Sequence, residues 1–116
     1  MKTFLASLLL AVLSNLSYAD DFAKTLKLAE QGHANAQSNL GSLYDYGRGV
    51  PENDKTAVMW YTKAAKQGHA SAQYNLGFMY GNGEGVPEND KTAVMWYTKA
   101  AKQGVAQAQS NLGLMY

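Results

Sequence analysis

Three near-copies of one hexapeptide recur at a fixed interval of 36 residues, and that period constrains the fold more than any other feature of the chain. Ala36-Gln37-Ser38-Asn39-Leu40-Gly41 returns as Ala72-Gln73-Tyr74-Asn75-Leu76-Gly77 and again as Ala108-Gln109-Ser110-Asn111-Leu112-Gly113. The run from Val50 to Gly68 is identical to the run from Val86 to Gly104. Between residues 33–68 and 69–104, 29 of 36 positions match. A fixed period of this length marks units that cannot bury their apolar faces alone and therefore stack on one another.

Each unit carries two helical patterns. Ala36, Leu40, Leu43, Tyr44 and Gly47 follow the i, i+4, i+7, i+8, i+11 spacing of one helix face. Ala57, Trp60, Tyr61, Ala64, Ala65 and Gly68 follow i, i+3, i+4, i+7, i+8, i+11. Neither segment alternates as a strand would. The unit is therefore a helix A and a helix B, joined by Gly47-Arg48-Gly49-Val50-Pro51 or Gly83-Glu84-Gly85-Val86-Pro87. Pro51 and Pro87 cannot continue helix A. Asp54 and Asp90 are the expected N-caps of helix B, and Gly68 and Gly104 fit the left-handed position after its end.

Ahead of the units, Lys2 precedes a mostly apolar run, Phe4 to Leu16, and Ser17-Tyr18-Ala19 supplies small residues where a signal peptidase reads. This is the pattern of a secretory signal peptide cleaved after Ala19. The run is about 13 residues, short of the roughly 20 that span a bilayer. An exported protein, periplasmic or secreted, is expected, touching the membrane only during export. Of the ten basic and nine acidic residues, Lys2 leaves with the leader, so the mature chain is close to neutral. It shows no basic stripe for nucleic acid. There is no cysteine, so an exported chain of this size has to hold together by packing alone.

Leu40-Gly41, Tyr44, Gly47, Gly49-Val50, Asp54, Ala57, Trp60-Tyr61, Lys63-Ala64-Ala65 and Ala72-Gln73-Asn75-Leu76-Gly77 resemble, in that order, the Sel1-like repeat family. The resemblance implies an all-α fold: an α/α superhelical solenoid of antiparallel helix-turn-helix units, related to tetratricopeptide repeats, with helix A on the concave surface. It also implies a binding scaffold or adaptor. The expected organisation is a signal peptide at 1–19, a degenerate helix-B-like cap at 20–32, repeats at 33–68 and 69–104, and a partial repeat at 105–116 containing helix A only. In the cap, Lys24 stands where the tryptophan would be. The period breaks off inside helix A, as expected either of one section of a longer array or of an open end that docks onto another surface.

Catalytic signatures are absent from the sequence. It has no cysteine nucleophile, no Gly-x-Ser-x-Gly and no phosphate loop. Some cysteine-rich relatives carry a β-lactamase label, but their paired cysteines are missing here, as is any Ser-x-x-Lys. His33 and His69 share one repeat position without a second ligand at metal spacing, and Val105 takes that place in the third unit. No enzyme, cofactor or metal is expected.

Individuality lies where the repeats disagree. The differences Asn35/Ser71/Gln107, Ser38/Tyr74/Ser110, Ser42/Phe78/Leu114 and Asp45/Gly81 form one helical stripe, centred about 200° from the core face at 100° per residue. Asn35, Ser38, Ser42, Ser71, Tyr74, Phe78, Ser110 and Leu114 are accordingly the expected partner-binding residues, with Tyr74 and Phe78 as neighbouring exposed aromatics. A protein or peptide is the expected partner and a cell-wall glycan the alternative. Neutral drift accounts for the small polar exchanges, but less well for an exposed aromatic pair, and a structural contact between Phe78 and Leu114 is a third possibility.

Overall fold

The computed structural model describes residues 19–115, so the expected signal peptide lies, except for Ala19, outside the described residues. Six helices and no strand occur among them. The described part of α1 covers residues 19–30. It is followed by α2 (Ala34–Tyr46), α3 (Asp54–Lys66), α4 (Ala70–Asn82), α5 (Asp90–Lys102) and α6 (Ala106–Met115). In the repeat, α2, α4 and α6 are A helices, while α3 and α5 are B helices. Short connections fold each helix back on the one before it, and packing runs mainly between sequence neighbours. None of the described helices is long and apolar enough to cross a membrane.

Each A-to-B loop is built by the same few groups. Gly47 adopts φ 65° and Gly83 φ 68°, the left-handed conformation that ends α2 and α4. The chain then turns back so that the Asn53 and Asn89 N–H groups donate to the carbonyls of Tyr44 and Tyr80, both at 2.9 Å. Asn53 and Asn89 are also the N-caps of α3 and α5, their Oδ1 atoms accepting the N–H of Thr56 and Thr92 at 3.0 Å. The expectation that Asp54 and Asp90 cap these helices is thus corrected by one residue. Both aspartates are the first helical residues, where their charge still favours the positive end of the helix.

The B helices key the stack together. Trp60 reaches back into a cluster with Ala29, Ala36 and Leu40, joining α1, α2 and α3. One unit on, Trp96 joins Ala65, Ala72 and Leu76. Within a unit, A and B approach so closely that Tyr61 lies on the backbone of Gly41. A Cβ on Gly41 would stand 2.7 Å from the Tyr61 ring, and one on Gly77 would stand 2.8 Å from the Tyr97 ring. Alanines 57, 64, 72, 93, 100 and 108 are fully buried, which places small residues at helix crossings.

A hydrogen-bonded spine that the apolar pattern does not reveal runs through the units. The buried Gln37 and Gln73 side chains donate to the carbonyls of Ala29 and Ala65 at 3.2 Å, and Gln109 donates to that of Ala101 at 3.1 Å. Gln67 donates to the Gln37 side chain at 2.7 Å and to the Gly32 carbonyl at 3.0 Å. Gln103 repeats this on Gln73 and Gly68, both at 2.9 Å. These glutamines add side-chain donors at the ends of the preceding helices, where the Ala29, Ala65 and Ala101 carbonyls also accept the N–H groups of Gly32, Gly68 and Gly104 at 3.0 Å. Each such bond contributes about 0.5–1.5 kcal/mol.

Candidate functional site

The stripe expected to bind a partner divides in two. Phe78 is 41% exposed and Leu114 86%, and Asn35, Ser71 and Ser110 are also exposed. Ser42 is half-buried. Ser38, however, is only 6% exposed. Tyr74, at the same repeat position, is half-buried, with its ring centroid 5.8 Å from that of Tyr97. The expected exposed Tyr74–Phe78 pair is therefore corrected: Phe78 faces solvent, and Tyr74 leans on its own unit's B helix. The physical reason is the close A–B approach, because the tyrosine seated on Gly41 or Gly77 spreads beneath the neighbouring face of helix A.

Below that tyrosine the two units differ in chemistry. The Tyr61 hydroxyl donates to Asp45 Oδ2 at 3.2 Å and also hydrogen-bonds Ser42. Burial, then the Asp45 charge, pushes the Tyr61 pKa far up. Burial also raises the Asp45 carboxyl, a shift reinforced by the charges of Asp54 and Glu52 and opposed by the Tyr61 hydrogen bond. In the next unit Phe78 and Gly81 replace Ser42 and Asp45. Tyr97 turns to Asn111 instead, and burial again raises its pKa.

Two grooves result. One, of about 290 Å³, lies between α2 and α4 and is lined by Asp45, Tyr46, Tyr74, Asn75, Phe78 and Glu84. The other, of about 720 Å³, lies between α4, α5 and α6 and is lined by Phe78, Gly81, Asn82, Asn111 and Leu114, with Asp90, Lys91, Val94, Tyr97 and Met115 at its base and rim. Adding 36 to Asp45, Tyr46, Asn75 and Phe78 gives Gly81, Asn82, Asn111 and Leu114. The grooves are thus successive copies of one cleft between adjacent A helices, sharing Phe78 as a wall. Asp45 and Tyr46 fill the first, whereas Gly81 and Asn82 leave the second wide, with the buried Tyr97 at its base.

Of the expected residues, the grooves bring together Tyr74, Phe78 and Leu114, and Ser42 lies beside the first through Tyr61. They do not include Asn35, Ser38, Ser71 or Ser110. Asn35 has a structural partner: its Oδ1 lies 2.9 Å from His69 Nε2. His69 Nδ1 accepts the Ala72 N–H at 3.2 Å, capping α4. Tyr46 and Glu84 were missed by the stripe, although Tyr46/Asn82 and Arg48/Glu84 also differ between repeats. They fall at the end of helix A and in the loop, off the helical angle that defines the stripe. Among the described residues no group of three or more His, Cys, Asp or Glu is placed to hold a metal ion.

The pattern of the Sel1 repeat family matches residues 34–69, 70–105 and 106–116. Among solved structures, the chain is similar to c5321, a protective antigen of uropathogenic Escherichia coli strains with an SLR fold, at 45% identity and TM-score 0.78 over 82% of this chain. A Sel1 repeat protein from Oxalobacter formigenes aligns at 38% identity and TM-score 0.83 over 84% of this chain. Helicobacter pylori cysteine rich protein B aligns at 30% identity and TM-score 0.74 over 78% of this chain and 68% of its own. The chain spans only 20% and 29% of the length of the first two. No curated protein matches it. Matched along most of its length by the family pattern and superposable on these helical stacks, the chain belongs to the Sel1 repeat family.

Proposed function

We propose that this chain is an exported scaffold that holds an extended segment of a partner protein in the clefts between its A helices, on the concave side of the solenoid. One observation carries the reading. The framework is duplicated almost without change, with α3 and α5 identical in sequence, while the cleft between A helices is repeated in place and altered in lining. Constant struts that present differing pockets at a regular interval suit recognition of successive side chains along an extended chain. Phe78, shared by both clefts and open to solvent, is the natural apolar anchor, as exposed aromatics commonly are at interfaces. Sel1 repeat proteins are in general protein-interaction scaffolds, which agrees with this assignment.

The test places a photo-reactive residue at Phe78 or Leu114 and, for comparison, at Met59 or Met95 on the outer faces of the B helices, which are also exposed. Crosslinks to a partner in cells are expected from the first pair only. Crosslinks from Met59 or Met95 alone would move the binding surface to the B helices. Pull-down with purified peptidoglycan, insensitive to Phe78→Ala, would favour a glycan partner and overturn the protein-segment reading. Export rests on the leader pattern of residues 1–19, and sequencing the N-terminus of the protein recovered from the periplasm should begin at Asp20.

A further inference from the structure

The α2–α4 cleft has a chemistry distinct from its copy. Its lining combines two carboxylates, Asp45 and Glu84, with the rings of Tyr46, Tyr74 and Phe78, and no lysine or arginine lines it. Glu52 and Asp54 add negative charge close enough to act on Asp45. The cation nearest by sequence is Arg48, whose guanidinium lies over the Tyr46 ring at 5.3 Å, so one ring of the lining already makes a cation–π contact. Asp45, partly desolvated, has the Tyr61 phenol as its hydrogen-bond partner, and a carboxylate has capacity for several donors. In the copy, Gly81 and Asn82 replace Asp45 and Tyr46, a lysine, Lys91, lines the cleft beside Asp90, and Val94, Leu114 and Met115 make the lining more apolar.

We propose that the cleft between α2 and α4 receives an arginine or lysine side chain of the bound segment, while the adjoining cleft receives an apolar side chain. This rests on the scaffold reading above and names the class of segment that the scaffold selects. The cation passes between the aromatic walls and ends on Asp45 and Glu84, and its methylene stem covers Phe78. The second pocket lies one repeat further on. Directly packed helices stand about 8–10 Å apart. Successive A helices pack mainly on the B helix between them rather than on each other and so stand at least that far apart. An extended chain advances about 3.3 Å per residue. The basic and apolar residues of the segment are therefore separated by about three positions or more.

A phage library of random dodecapeptides selected against the full chain tests both levels. The expected outcome is enrichment of peptides with an arginine or lysine about three or more positions from a large apolar residue. Synthetic copies should bind about tenfold more weakly to Asp45→Asn combined with Glu84→Gln, as expected for removal of two partly exposed ionic contacts, and should weaken with added salt. Asparagine keeps an acceptor for the Tyr61 hydroxyl, so these variants leave the framework in place, and unchanged helical circular dichroism checks that. Peptides that lose binding with Phe78→Ala but carry no basic residue, or ignore Asp45→Asn/Glu84→Gln, overturn the cation pocket and leave the scaffold reading standing. A selection that yields no binder, or only binders indifferent to Phe78→Ala, overturns both.

Discussion

Replacing Gly41 or Gly77 by alanine introduces the same methyl group at equivalent points of two units, yet the surroundings predict different outcomes. At Gly41 the new Cβ would stand 2.7 and 2.8 Å from Tyr61 Cδ1 and Cε1; at Gly77, 2.8 and 2.9 Å from the same atoms of Tyr97. Ordinary contact begins near 3.4 Å, so either ring has to withdraw by about 0.5–0.7 Å. Overfilling a packed site costs about 1–3 kcal/mol, and alanine returns about 1 kcal/mol of helix propensity over glycine. The sign depends on whether the ring can yield. Tyr61 is 1% exposed and tied to Asp45, which puts Gly41→Ala at the upper end of the cost, a net loss of about 1–2 kcal/mol. Tyr97 is also buried, 4% exposed, and bonded to Asn111. It borders the wide cleft that Gly81 leaves open, however, which gives the ring room to tilt outward, so Gly77→Ala should cost about 1 kcal/mol less than Gly41→Ala. Urea unfolding followed by circular dichroism at 222 nm measures both. For a domain of this size the Gly41 variant should melt at least about 4 °C lower. Equal destabilisation by the two substitutions would refute the claim that the second cleft gives Tyr97 room.

Two further perturbations probe the framework. Gln73→Leu removes the donor to the Ala65 carbonyl and the acceptor of Gln103, each of which keeps another partner through Gly68. It should cost about 0.5–1.5 kcal/mol per bond lost in urea unfolding, and more than Gln109→Leu, because Gln109 is exposed. His69 caps α4 through an unprotonated Nδ1, and burial lowers its pKa below 6.5. A base whose folded pKa is depressed contributes fully above the unfolded value and loses stability as pH falls through 6.5 toward the folded value. Thermal melts should therefore show a drop between pH 7.5 and pH 5 that His69→Ala abolishes, while the variant loses about 0.5–2 kcal/mol at pH 7.5 as a missing cap.

How far the sequence carried depends on the length scale of each feature. The 36-residue period, the A and B helices, the glycine ends and the buried tryptophans were legible because apolar spacing and left-handed glycines act over a turn or more of helix. The helix B cap was missed by one position. Asn53 and Asp54 are adjacent and almost equal as caps by propensity. The choice is made by the Asn53 N–H bond to the Tyr44 carbonyl, a contact that exists only once the loop has closed. The exposure of the stripe was only half legible for a related reason. A helical wheel assigns one inside and one outside, whereas an A helix in a stack is covered by its own B helix and flanked by the next A helix. Ser38 and Tyr74 lie on the covered side and Phe78 in the opening. The glutamine spine left no trace in the apolar pattern, although Gln37, Gln73 and Gln109 recur at the period.

The separation of framework from cleft also explains how the repeats can diverge without losing the fold. Tryptophan keying, the glutamine spine and the glycine-tyrosine contacts all join groups that are the same in both full units, so each added unit brings the same interface, as additive stability in a stack requires. The pair at 45/81 joins no other unit. Asp45 bonds the tyrosine of its own unit, and a Cβ at Gly81 would meet only the Ala93 methyl, at 3.6 Å. Exchanging one for the other alters the depth and charge of a cleft and leaves the interfaces between units intact. Positions 46/82 and 48/84 lie at the helix end and in the loop, where side chains likewise reach solvent. Recognition can therefore be revised cleft by cleft while the B helices remain identical copies, and Phe78, as the wall common to both clefts, is the position where a change in one pocket is felt by the other.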